Sequence, residues 1–406
     1  MSIDRREFVV AAASFAASAL EPSLALASQR PVRITADDPL GVRADFPIVM
    51  ERTFLNSAYI TPSPQQAIAA GRAFLESRSR PMLVGDLLAK TNEVRGQFAR
   101  LINASAAEIG FVFATTEGEN IVANTVPMAP GDNVVIDEMS YEGAFVVYRE
   151  LEKRRGIALR IVKHRDGAVT PGDIEAAVDN RTRLVSVAWV SHLNGFRHDV
   201  RAIADIAHAH GALLHTDAIQ ALGVLAVDVR KADVDFLCSG TYKGLLAGFG
   251  IAPFYVKRSV LDRIPPDRFG VFGVARQLPD YRFEQRDTAG RYDYATLPFA
   301  EVHQLGATLS YLEQVGVARI EEHTVGLAAR MQEGLRRQGF TLFTPAGNRS
   351  PIVSFYCAKP TATTRAVFEA AKLDVTVREG HVRASVALFN NTAEVDRLLA
   401  VTQRLV

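Results

Sequence analysis

Two residues set the chemistry this chain could do. Asp217 and Lys243 bracket the stretch HTDAIQALGVLAVDVRKADVDFLCSGTYK, which starts at His215. Asp217 and Gln220 close one apolar run, and Lys243 ends a second inside a small, polar, glycine-containing turn. A lysine amine can hold an aldehyde as an imine and shuttle a proton. A carboxylate can keep a pyridine nitrogen protonated. That pairing is the requirement of pyridoxal 5′-phosphate (PLP). A lone lysine after a strand is ordinarily a solvated surface group, so the assignment depends on what other segments add.

One segment adds an anion site. Glu108 to Phe113 (EIGFVF) has strand character, and a hydroxyl-rich turn follows with Thr115 and Thr116 before a helical pattern at Ile121, Val122 and Val126. Threonine hydroxyls and the free N–H groups at a helix start point toward a phosphate, aided by the helix dipole. The plainer reading of the same residues is a threonine N-cap.

The elements that must position these groups alternate along the chain. Strands are expected at Asn133 to Ile136, Leu159 to Val162, Arg183 to Trp189, Ala212 to Thr216, Asp235 to Cys238 and Ile251 to Val256. Helices fall between them, one capped by Asp199 with apolar residues at Val200, Ile203 and Ile206, and ended by Gly211. The alternation predicts an α/β fold with a mostly parallel sheet covered on both faces. Functional groups of such a sheet lie beyond the carboxyl ends of its strands, and Thr116, Tyr141, His192, Asp217 and Lys243 all fall there. Residues 263–298 look irregular, and short strands at Thr341–Phe343, Ile352–Tyr356 and Val375–Val377 with flanking helices suggest a small α+β domain.

Bulk properties exclude other classes. The 406 residues suit two domains, and 48% hydrophobic with 22% charged content is ordinary for a globular protein. A net charge of +1 leaves no basic excess for nucleic acid. The two cysteines, Cys238 and Cys357, form no metal-binding cluster, so no metal is expected. A dinucleotide enzyme is disfavoured because no GxGxxG follows the early strand. The N-terminus carries Arg5-Arg6 before an alanine-rich run and a small-x-small site at Ala25-Leu26-Ala27. That is the pattern of a twin-arginine signal over 1–27, which implies the export machinery as a partner, a periplasmic destination and no membrane anchor.

From about Thr53 onward the chain resembles the class V aminotransferases, fold-type I PLP enzymes that include cysteine desulfurases and isopenicillin N epimerase. The order and spacing over His215–Lys243 carry the resemblance. It implies a large PLP domain over 46–290, with 28–45 and 291–406 forming the small domain. It implies Lys243 as the imine lysine and proton carrier, Asp217 on the pyridine nitrogen and Gln220 on the ring 3′-oxygen. Thr115 and Thr116 match the phosphate turn, Tyr141 a ring-stacking aromatic, and His192 and Asn194 the loop beside the ring and substrate. Thr241 and Tyr242 fall among phosphate or ring contacts. Thr296 resembles a residue reaching the partner subunit's phosphate, which implies a homodimer. Arg383 matches the fork onto an amino-acid α-carboxylate, with Arg378, Asn56 and Tyr59 also on the substrate side. One departure stands out. Group II desulfurases carry a cysteine-bearing loop between the segments matching Arg378–His381 and Arg383, and here only Val382 separates His381 from Arg383. The resemblance implies chemistry at the α-carbon of an amino acid or amine, with transamination as the leading expectation. Elimination by a C–S lyase, epimerisation, and PLP binding without turnover are the alternatives.

Overall fold

The computed structural model describes residues 34–406. The expected export signal lies outside the described residues. At the centre is a seven-stranded sheet, ordered Ile109–Val112, Ala252–Val256, Phe236–Cys238, Leu213–Asp217, Thr182–Ala188, Asn133–Asp137, Ala158–Val162. Only Ala252–Val256 runs against its neighbours. The sheet is therefore mostly parallel, and the fold is that of the fold-type I PLP-dependent enzymes.

The interior strands are apolar on both faces because both faces are covered. Alternate residues of each strand feed two different cores. Val135, Val185, Leu214, Leu237 and Tyr255 join one, with Val94 and Phe98 of the helix Val84–Leu101 and Ile203 of the helix Val200–Ala209. Val134, Ile136, Leu184, Leu213, Phe236 and Phe254 join the other, with Ile121 of the helix Thr115–Thr125 and Tyr148 of the helix Glu142–Arg155. The local signals act as expected. The Asp199 carboxylate accepts from the Ala202 amide, and Gly156 ends the Glu142–Arg155 helix at φ 65°.

The C-terminal part differs in detail from the sequence expectation. Thr341–Phe343 forms no strand, only a single bridge between Leu342 and Phe355. The irregular crossing contains an antiparallel pair, Val274–Gln277 with Phe283–Gln285. A helix Thr361–Ala370 and a strand His381–Ser385 were not anticipated. That strand is the middle member of a three-stranded sheet, between Ile352–Tyr356 and Thr376–Arg378. A third core joins this sheet to Leu327, Met331 and Leu335 of the helix Val317–Arg337 and to Val395 and Leu398 of the helix Thr392–Thr402. The helix Phe299–Val315 buries Val302, Leu305 and Leu309 in the first core instead. It therefore packs with the large unit, although a boundary at 291 would assign it to the small one.

Candidate active site

The parallel strands end together, and the predicted residues gather at that edge. Asp217 is the last residue of its strand. Its Oδ1 accepts the Ile219 amide at 2.9 Å, burial raises its pKa, and the charge of Lys243 opposes that rise. Lys243 sits in the turn after Phe236–Cys238, with Nζ 5.9 Å from the centroid of the Tyr242 ring. Burial pulls its pKa down to about 8, with Asp217 acting against the fall. Close backbone approach holds this turn. A Cβ on Gly244 would meet the Leu222 carbonyl, and a Cβ on Gly223 would meet Gly244 itself. Gln220 is buried and donates to the Ala58 carbonyl at 2.8 Å, which leaves one amide hydrogen for a ligand.

The anion end is built from the helix Thr115–Thr125. The Thr115 and Thr116 amides that open it have no intrahelical partner, while the Glu117 amide bonds back to the Ala114 carbonyl at 3.0 Å. The Thr115 hydroxyl accepts the Gly240 amide at 2.8 Å, tying the helix start to the lysine turn. A Cβ on Gly118 would overlap Cys238 Sγ, so glycine is required where this helix crosses the strand end. A Cβ on Gly143 would lie 3.2 Å from the Tyr141 ring and 3.5 Å from Thr116 Oγ1, which places those two side chains around one point.

The far wall comes from His192 and the small domain. Tyr141 is half exposed and meets the His192 ring edge-on, with centroids 5.4 Å apart. Both His192 ring nitrogens are buried without a hydrogen-bond partner. Burial, opposed by Glu142 Oε2 at 3.4 Å, pulls its pKa down to about 4, so the ring is neutral at neutral pH. The Arg383 guanidinium is buried; NH1 donates to the His192 carbonyl and NH2 to Thr376 Oγ1 at 3.1 Å. Thr376 in turn donates to Asn56 Oδ1 at 2.7 Å. Arg383 Nε has no partner, and burial pulls the group down to about 10, still a cation at neutral pH. Arg378 lies 3.6 Å from Glu142.

Two expected ligand contacts are committed elsewhere. Asn194 donates to the carbonyls of Gly167 (2.8 Å) and Phe343 (3.0 Å) and accepts from the Phe196 amide (2.9 Å). Its amide therefore joins two parts of the chain and has no donor left for a cofactor. The Thr241 hydroxyl donates within its own loop, to the Gly248 carbonyl at 2.6 Å and the Ile251 carbonyl at 3.2 Å. Tyr242 stacks on Phe249 at 4.6 Å. Thr296 and Tyr59 are exposed, and no hydrogen bond of Thr296 joins it to the other site residues.

Some neighbours of the site were not anticipated. Glu119, on the buried face of the helix Thr115–Thr125, accepts from Ser186 Oγ at 3.1 Å, and that hydroxyl lies 2.9 Å from His215 Nδ1. Burial, then the charge of Asp217, raises Glu119 to about 7; burial lowers His215 to about 3. An acid at the second position past Glu117 in a helix carries no sequence signal of this kind. Glu142 and Thr376 were also missed, since both act through residues distant in the chain.

The donor set suits PLP. A buried acid and a buried lysine amine lie close enough to shift each other's pKa, open helix amides and threonines can take a phosphate, and a buried guanidinium can take a carboxylate. His192 Nδ1 and Nε2 and Arg383 Nε are buried without a hydrogen-bond partner, which a bound group could supply. Fold and site together define a fold-type I PLP-dependent protein.

The sequence pattern described as Aminotransferase class-V matches residues 53–398. The chain belongs to that family. It is 30% identical to a probable cysteine desulfurase of Methanothermobacter thermautotrophicus, over 88% of this chain and 95% of the relative. It is 31% identical to a cysteine desulfurase of Salmonella newport, over 90% and 97%. Among solved structures, the apo cysteine desulfurase of Thermococcus onnurineus superposes with a TM-score of 0.83 at 25% identity, covering 91% of this chain and 98% of the other. A complex of the cystine C–S lyase C-DES with cysteine persulfide gives 0.82 at 17% identity, over 89% and 99%.

Proposed function

We propose that this protein is a PLP-dependent lyase that cleaves the C–S bond of a cysteine-type amino acid by β-elimination. The curated relatives carry C–S chemistry, and none of those described above supports the transamination expected from sequence. What supports elimination over sulfur transfer to a protein thiol is the placing of the cysteines. Cys238 and Cys357 are both buried, and the turn between Arg378 and His381 is only Glu379-Gly380. A protein persulfide needs an accessible thiolate at the site, whereas elimination needs none.

When bound, PLP supplies an electron sink for the substrate α-carbon. Arg383 holds the α-carboxylate, with the Thr376–Asn56 chain fixing its plane. The Lys243 amine, already depressed to about 8 by burial, moves the Cα proton. Asp217 would pair its carboxylate with the ring nitrogen of bound PLP, and neutral His192 forms part of the wall beside Arg383. The net reaction consumes a cysteine thioether and water and releases a thiol, pyruvate and ammonia. Export through the Arg5-Arg6 signal to the periplasm, and a homodimer in which Thr296 reaches the partner's phosphate, belong to the same proposal.

The test is incubation of the purified holoenzyme with cysteine thioethers and no added keto acid. Thiol, pyruvate and ammonia should appear in equal amounts. Amino transfer that strictly requires a keto acid acceptor, with no thiol released, would refute elimination.

A further inference from the structure

Beside Arg383 lies a cavity of about 750 Å³, lined by Asn56, Tyr59, Arg365, Arg378 and the segment 373–377. That volume is in the range of sites for drug-sized ligands, about 300–1,000 Å³. A cysteine side chain, one carbon and one sulfur, would leave nearly all of it empty. The cavity stays open because the strands Thr376–Arg378 and His381–Ser385 turn back through two residues, with Gly380 at φ 75°, so no loop covers it.

Its charge is uneven. The acids that line it, Glu369 and Asp374, are both paired with Arg52, at 3.0 and 2.9 Å. Among the described residues Arg378 pairs only with Glu142, at 3.6 Å, and that carboxylate is 62% exposed. Arg365 donates to the Val377 carbonyl at 3.2 Å and forms no ion pair among the described residues. Arg383, buried and with Nε unpartnered, forms the inner end. Three guanidinium groups thus face one space whose carboxylates are largely answered from outside it.

We infer that this cavity binds the distal part of the substrate, and that this part carries an anionic group recognised by Arg365 and Arg378. The substrate is then an amino acid larger than cysteine, with an acidic far end, its α-carboxylate on Arg383 and its side chain extending along the segment 373–378. Arginine suits the task because its planar fork matches a carboxylate. The inference rests on the lyase reading only for the identity of the scissile bond.

The probes are S-(3-carboxypropyl)-L-cysteine and S-butyl-L-cysteine, matched in carbon count and differing in the terminal charge. Binding to holoenzyme is read by rapid-mixing absorbance of the cofactor, and pyruvate is measured in parallel. Wild type should bind the acidic probe at least tenfold more tightly. Arg365→Gln and Arg378→Gln should each reduce that ratio by about fivefold, the value of one partly exposed ion pair near 1 kcal/mol, and the double variant should bring it near one. The absorbance of each unliganded variant shows that the site is intact. Equal binding of the two probes by wild type, or a ratio untouched in the double variant, would overturn the inference. Charge preference without pyruvate would sink the lyase reading and leave this one. Pyruvate from both probes without preference would do the reverse.

Discussion

Glu119→Gln tests whether a desolvated acid stands behind Asp217. Glu119 is buried, with Ser186 as its hydrogen-bond donor, and its value rises from 4.5 to about 7. The folded state therefore holds its proton more tightly than the unfolded chain does. Stability from this group is intact below about 4.5 and falls as pH rises to about 7. Integrated between pH 5 and pH 8, the loss is about 2.5 kcal/mol at 1.36 kcal/mol per pKa unit. Glutamine has no charge to desolvate and keeps an oxygen to accept from Ser186. The variant should thus gain about 2.5 kcal/mol on wild type in going from pH 5 to pH 8. Relief of Asp217, whose pKa is also raised, acts in the same direction. Urea unfolding at both pH values measures it, followed by the fluorescence of Trp189. That residue is the chain's one tryptophan, buried and bonded through its amide to the Asp217 carbonyl at 2.8 Å. A stability difference between variant and wild type that is the same at both pH values would refute the reasoning.

Other changes probe the remaining parts. Lys243→Ala should abolish the visible absorbance of lysine-bound cofactor and all turnover, while far-UV circular dichroism stays that of wild type. Arg383→Lys replaces a two-bond fork by a point charge; losing one charge-assisted hydrogen bond of about 1.5–3 kcal/mol should lower kcat/KM roughly 10- to 100-fold. Affinity for the matching amine that lacks a carboxylate, followed in the same titration, should change far less. Asn194→Ala strips partners from the Gly167 and Phe343 carbonyls and the Phe196 amide, so thermal unfolding should show a loss of about 2–4 kcal/mol with little change in cofactor affinity.

How far the chain discloses its site depends on the range of the interaction concerned. Asp217 ends a strand and Lys243 sits in the turn after the next one, and the apolar runs of both strands are plain in the sequence, so their placement at one edge follows from strand direction alone. Thr115 and Thr116 follow from a strand–turn–helix signal in the same way. Arg383 is legible by resemblance but its strand is not, because His381–Ser385 is short and is paired to residues about 30 positions earlier. Asn194 shows the opposite failure. A polar residue in a site loop looks like a ligand contact until its partners, Gly167 and Phe343, are known.

Local pattern by itself therefore determined the sheet, the direction of its strands, and the lysine, acid and threonines at its edge. Periodicity and turn chemistry act within a few residues, and these features need nothing longer. Only the tertiary structure decided what surrounds them. It set which hydroxyls and amides remain free, put Glu119 behind Asp217, brought Asn56 and Thr376 to Arg383, and left a cavity with unanswered arginines beside it. Each of those depends on desolvation and pairing between segments far apart in the chain, and neither has a local signature.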